Sequence, residues 1–212
     1  MIDSNDTKDI LLLLADISGY TRFMVANQTE LEHSQQIIGA LLKAIIDEVE
    51  IPLSIAKFEG DAVFLYAVKN ENADAVLRHV RNKLPRFFVA FSSRLRELAA
   101  TRTCECGACR NVNELRLKVI AHSGRAVIYL IADRTELAGV DVIIAHRLLK
   151  NSITAREYIL LTESAKRDLS LDLPLLQEST EGIDDIGPIK VTVYRPNSPS
   201  SPIRAPSDNQ SR

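Results

Sequence analysis

Two short stretches of this 212-residue chain place a carboxylate where a strand runs out. In Leu11-Leu12-Leu13-Leu14-Ala15-Asp16-Ile17-Ser18-Gly19-Tyr20-Thr21 an unbroken apolar run ends at Asp16, with turn chemistry directly after it. Such a run reads as a strand buried on both faces, although periodicity alone leaves a helix open. In Lys57-Phe58-Glu59-Gly60-Asp61-Ala62-Val63-Phe64-Leu65-Tyr66 the spacing predicts a tight hairpin, turning at Glu59-Gly60, with Asp61 opening the returning strand. If that hairpin lies beside the first strand, Asp16 and Asp61 face each other. Facing carboxylates raise each other's pKa unless a cation lies between them. Hard oxygen ligands without clustered His or Cys suit Mg²⁺ or Mn²⁺. The plainer alternative is that Asp16 only caps the turn that follows it.

A second group of chemistry-bearing residues is sulfur. Cys104, Cys106 and Cys109 fall within six residues, with His122 downstream. The set suits a three- or four-ligand structural zinc site, the alternative being three free thiols in a loop. So tight a cluster forms no ordinary disulfide framework, which fits a reducing compartment. His33 and His79 lie on helical stretches and read as surface residues.

The elements that must position these groups are legible from periodicity. Thr29-Glu30-Leu31-Glu32 predicts a capping box opening a long helix, with Leu31, Gln35, Ile38, Leu42, Ile45 and Val49 at helical spacing, ending near Glu50. A second helical region runs from Asn72 to Leu98, and Pro85 inside it predicts a kink or two helices. Most of its apolar stripe reads as core, with Phe87, Phe88 and Phe91 as an alternative surface for a partner subunit. Leu115–His122 alternates as a strand, Ser123-Gly124 as a turn, and Ala126–Ala132 as the next strand. A helix carrying Arg147, a strand at Tyr158–Leu161, a short helix capped by Thr162 and a last strand at Lys190–Tyr194 complete the order. The layout is α+β, with helices packed on a mostly antiparallel sheet.

Composition removes several classes of function. Lysine and arginine number 26 against 28 acids, so no basic footprint for nucleic acid exists. The apolar run Ile10–Ala15 is too short to span a membrane, and no signal-peptide cleavage site follows it, so a cytoplasmic location is expected. Residues 1–196 read as one domain with a Cys-containing loop at 101–112. Residues 197–212 are rich in Pro, Ser, Asn and Gln and read as a disordered tail.

Four motifs in order carry a resemblance. Ala-Asp-Ile-Ser-Gly-Tyr-Thr at 15–21 and Lys-Phe-Glu-Gly-Asp at 57–61 are similar to the two metal motifs of the class III nucleotidyl cyclase catalytic domain. Val119-Ile120-Ala121-His122-Ser123-Gly124 resembles that family's strand ending in His-x-Gly. Gly139-Val140-Asp141-Val142-Ile143-Ile144-Ala145-His146-Arg147-Leu148 resembles its G-x-x-V-N-x-A-x-R-L helix. Glu32-His33-Ser34-Gln35, the cysteine cluster and His146–Asn151 add a closer likeness to bacterial cyclase-like proteins of unknown function. The resemblance spans roughly residues 9–195.

The resemblance implies a ferredoxin-like cyclase sandwich acting as a homodimer. It also implies conversion of a nucleoside triphosphate, ATP favoured over GTP, to a cyclic nucleotide and pyrophosphate. Two Mg²⁺ or Mn²⁺ ions would be held by Asp16, Asp61 and the Ile17 carbonyl. Lys57 and its partner Glu136 would read the base, and Arg147 would stabilise charge on the α-phosphate. The chain departs from the pattern elsewhere. Ile143 stands where the family has a ribose-orienting Asn. The family's triphosphate-binding Lys is missing from Asp184-Asp185-Ile186-Gly187-Pro188-Ile189-Lys190. These departures predict slow or divergent turnover. The alternatives are a catalytically silent nucleotide- or metal-binding regulator, and a zinc-stapled interaction module in which Asp16 and Asp61 are structural.

Overall fold

The apolar run around Leu11–Leu14 does form a strand, and every residue from Ile10 to Ala15 is buried. The structure, a computed structural model, describes residues 7–101, 104–132 and 134–196. The expected tail lies outside the described residues.

Strand β1 (Thr7–Ser18) is followed by helix α1 (Tyr20–Ala26) and helix α2 (Leu31–Ile46). A hairpin, β2 (Ser54–Glu59) and β3 (Ala62–Val68), leads to the long helix α3 (Ala73–Ala100). A short helix, α4 (Gly107–Asn111), precedes β4 (Arg116–Ile131) and β5 (Arg134–Ala138). Helix α5 (Val140–Arg147), β6 (Tyr158–Thr162), α6 (Glu163–Leu169), β7 (Leu175–Ile183) and β8 (Gly187–Tyr194) complete the chain. The sheet order is β2-β3-β1-β4-β6-β8-β7, with β5 paired to β4. Only the β4–β6 pairing is parallel among these strands. The α+β layout and its mostly antiparallel sheet are therefore as the sequence predicts.

Alternation along β1 divides the interior. Leu11, Leu13, Ala15 and Ile17 join a core with α2, α3 and α6, while Ile10, Leu12 and Leu14 join a second core under α5. Strand side chains repeat with period two, so Asp16 continues the Ile10-Leu12-Leu14 row and falls on the α5 face. Lys118 continues the equivalent row on β4 from Ile120.

Several expectations need correction. No capping box forms at Thr29: residues 28–30 are already one 3₁₀ turn, and α2 starts at Leu31 without a side-chain cap. Pro85 does not break α3, because buried Val80, Leu84, Phe87, Phe88 and Phe91 hold the helix on both sides of it. Those three phenylalanines are core and offer no partner surface. Ser123-Gly124 is not a turn; β4 runs through it, paired with Leu11 and Ile10 of β1. The edge strands β5 and β7 mix polar and apolar residues without clean alternation and gave no sequence signal.

Candidate functional site

A two-residue turn, Gly60-Asp61, joins β2 to β3, so Asp61 sits in the turn itself, one residue before the returning strand. Gly60 takes φ 63°, the left-handed conformation that glycine adopts without strain. Asp16 pairs with Ala62 across the ladder, and the Ile17 amide donates to the Asp61 carbonyl at 3.3 Å. This brings the two carboxyl groups to the same site, near enough for the charge of one to act on the other. Burial, and then the charge of Asp16, push the Asp61 carboxyl up to about 7. A pair so placed is short of positive charge, which is the condition for holding a divalent cation.

Part of that charge comes from a residue that sequence reasoning missed. Lys118 lies opposite Asp16 on β4, with its Nζ 2.9 Å from Asp16 Oδ2. It also donates to the Leu149 carbonyl at 3.0 Å. The only sequence signal was parity, since Lys118 shares a strand face with Ile120 and His122.

Asp16, Ile17 and Asp61 line a cleft of about 660 Å³, together with Glu59, Lys118, Lys150, Arg156 and the start of α1. That volume falls within the roughly 300–1,000 Å³ usual for small-molecule sites. Gly19, at φ 94°, lets β1 turn into α1 against the Arg156 guanidinium, which donates to the Glu114 carbonyl. Asn151 is in the cleft wall, but its side chain is occupied. It donates to the Leu148 carbonyl at 2.7 Å and accepts from the Tyr158 hydroxyl at 2.9 Å.

The other candidate residues fall outside this cleft. Lys57 and Glu136 do converge, flanking a gap between β2, β5 and α5. Its free volume is only about 10 Å³, because Phe64 and His146 meet there with ring centroids 4.0 Å apart. Lys57 is paired with Glu59 at 2.8 Å. Arg147 ends α5 and is absent from the cleft lining. Ile143 is half exposed on the same helix.

His122 is a correction. Its Nδ1 lies 2.9 Å from the Thr162 hydroxyl and its Nε2 2.9 Å from Asp141 Oδ1. Asp141 also accepts from the Arg125 amide at 2.7 Å. These bonds tie α5 to β4 and leave His122 remote from the thiols. The histidine beside Cys104, Cys106 and Cys109 is His33, read from sequence as a surface residue.

Residues 38–158 match the family described as "Protein of unknown function (DUF2652)". The chain is 32% identical over 126 residues to the uncharacterized protein Rv2561/Rv2562 of Mycobacterium tuberculosis. That alignment covers 59% of this chain and 57% of the relative, so the chain spans little over half the length of the curated protein it matches. Among solved structures it resembles the guanylyl cyclase Cya2, with a TM-score of 0.63 at 18% identity, covering 93% of this chain and 97% of that one. It also resembles the adenylyl cyclase CyaB from P. aeruginosa, with a TM-score of 0.64 at 15% identity, covering 89% and 94%. The chain belongs to the DUF2652 family, and its fold is that of the class III adenylyl and guanylyl cyclase catalytic domain.

Proposed function

We propose that this protein binds a nucleoside triphosphate with Mg²⁺ or Mn²⁺ at the Asp16–Asp61 cleft and cyclises it slowly. The observation that carries the reading is that two carboxyls share a cleft of about 660 Å³ lined also by Lys118, Lys150 and Arg156. Acids for a divalent ion and cations for phosphate stand side by side. A bound divalent ion, or the two used by cyclases of this fold, supplies Lewis-acid polarisation of phosphoryl oxygens and neutralises their charge. Asp16 and Asp61 hold it, with the Ile17 carbonyl as a third oxygen. Lys118 pairs with Asp16 and meets phosphate charge; Lys150 and Arg156 extend that positive lining.

Arg147 and Ile143 lie on α5, away from this cleft, which supports a site completed by a second copy of the chain. In that arrangement Lys57, Glu136 and Arg147 come from the partner subunit's α5 side. The exposed apolar residues Phe58, Val140 and Ile143 support association on that side. ATP is the favoured substrate on the Lys57–Glu136 pair. Among the described residues no helix is long and apolar enough to cross a membrane.

The nearly filled gap at Lys57 and Glu136, together with the apolar Ile143, favours a second reading: a regulator that binds nucleotide without turning it over. One experiment separates the two. The protein is incubated with ATP or GTP and Mn²⁺, products are read by mass spectrometry, and nucleotide-dependent thermal shift is measured in parallel. Cyclic nucleotide supports the enzyme; a shift without product supports the regulator; neither removes both.

A further inference from the structure

We propose that His33, Cys104, Cys106 and Cys109 form a closed, four-coordinate zinc site that pins the first turn of α2 to the connection between α3 and β4. This site is independent of the Asp16–Asp61 cleft and lies with α2 and α3, away from the α5 face.

The geometry is that of a collapsed ligand set. Cys104 Sγ lies 3.1 Å from Cys106 Sγ and 3.5 Å from Cys109 Sγ. His33 Nδ1 is 3.6 Å from Cys104 Sγ and 3.3 Å from Cys106 Sγ, and its Nε2 is 3.8 Å from Cys109 Sγ. All four ligand atoms lie within 4.8 Å of one another. A zinc tetrahedron with Zn–S about 2.3 Å and Zn–N about 2.0 Å has edges of roughly 3.5–3.8 Å. The observed spacings approach those edges with no change of backbone path.

Hydrogen bonding does not account for the cluster. Two thiols converge on one imidazole nitrogen, which carries either a single proton or a single lone pair and so serves one of them well. Nor does a disulfide: all three cysteines are free, and any pairing would strand the third. A shared electrophile satisfies all four groups together.

The Cys109 amide already donates to Cys106 Sγ at 3.4 Å, the outer-shell bond a metal-bound thiolate accepts. Four protein ligands leave no position for water, so the site is structural.

What the site joins is specific. His33 and the cysteines are separated by 71 to 76 residues in sequence. Gly107, inside the cysteine segment, packs against Asn27 and Glu30 so closely that any side chain there would collide with Asn27. The segment therefore clamps the α1–α2 connection. Since α1 begins at Tyr20 in the cleft wall, the zinc would hold one wall of that cleft from behind.

The test uses the full chain, purified reduced and never exposed to chelator, with metal measured by elemental analysis. Close to one zinc per chain is expected, and X-ray absorption of the wild type should show three sulfurs and one nitrogen. That readout needs no variant to fold. His33→Ala and Cys109→Ser should lose most of the zinc; His122→Ala and Asp16→Asn should keep it. Chelation should lower the melting temperature and Zn²⁺ restore it. Wild type holding well under one zinc per chain after reconstitution with Zn²⁺ overturns the proposal. So does zinc lost from His122→Ala but kept by His33→Ala, or zinc lost from Asp16→Asn.

Discussion

The Lys118 ammonium stands 2.9 Å from Asp16 Oδ2, directly across the β1–β4 ladder, with both side chains mostly buried. A fixed cation thus already neutralises part of the acid pair. Lys118→Met should leave Asp16 and Asp61 facing each other with their charge unmet. Removing one partner of a mostly buried pair typically costs about 3–5 kcal/mol, discounted here for the remaining solvent contact. The melting temperature without metal should fall, and Mn²⁺ should recover more of it than in the wild type. An equal Mn²⁺ shift in both proteins would show that Lys118 and the metal do not share a site.

Asp61 gives a pH dependence of defined sign. Its folded pKa, about 7, lies above the ordinary carboxylate value near 4, so between them the folded state holds the extra proton. Metal-free stability should therefore decline as pH rises from about 4 to about 7. In Asp61→Asn that contribution should vanish. Mn²⁺ affinity should rise over the same range, as the ligand deprotonates. Denaturant titrations across pH, with and without Mn²⁺, check both slopes.

Ile143 offers no hydrogen bond to a ribose. If the cleft binds a triphosphate and a second copy supplies α5, Ile143→Asn should raise cyclisation, since positioning of this kind contributes about 10²–10³ in rate. Arg147→Ala should abolish what activity there is, while nucleotide-dependent thermal shift changes little in either variant. Brisk wild-type turnover, indifferent to Ile143→Asn, would show that another group does the work.

The aromatic face of α3 is interior. Phe88→Ala should cost about 3–5 kcal/mol of stability, as large-to-small core changes do. Association should respond instead to the exposed apolar residues near α5. Val140→Ser with Ile143→Ser should weaken a dimer seen by light scattering and leave the melting temperature nearly unchanged.

The fold was readable because its signals are local and periodic. The apolar run into Asp16, the glycine turn before Asp61 and the stripe of α2 each specify an element without help from the rest of the chain. What escaped was set by distant partners. Pro85 reads as a break, yet fully buried phenylalanines override it. Ser123-Gly124 reads as a turn, yet β1 supplies its ladder partners. Lys118 carries no signal beyond strand parity, and only β1 places Asp16 opposite it. His33 looked exposed because no spacing rule links it to cysteines more than seventy residues away. His122 lies far nearer those cysteines in sequence, but Thr162 and Asp141 hold it elsewhere.

Strand β1 is hydrogen-bonded on both sides, to β3 from Ile10 to Asp16 and to β4 from Thr7 to Ser18. Its amides should be among the slowest in the protein to exchange with deuterium, opening only when the whole sheet does. Asp16 is carried at the end of that strand, whereas Arg147 ends a helix of only eight residues. One half of the proposed site is then as durable as the fold itself, and the other is held by little more than two helical turns. Ligand binding should slow exchange in α5 far more than in β1, so α5 is where occupancy will be visible in solution.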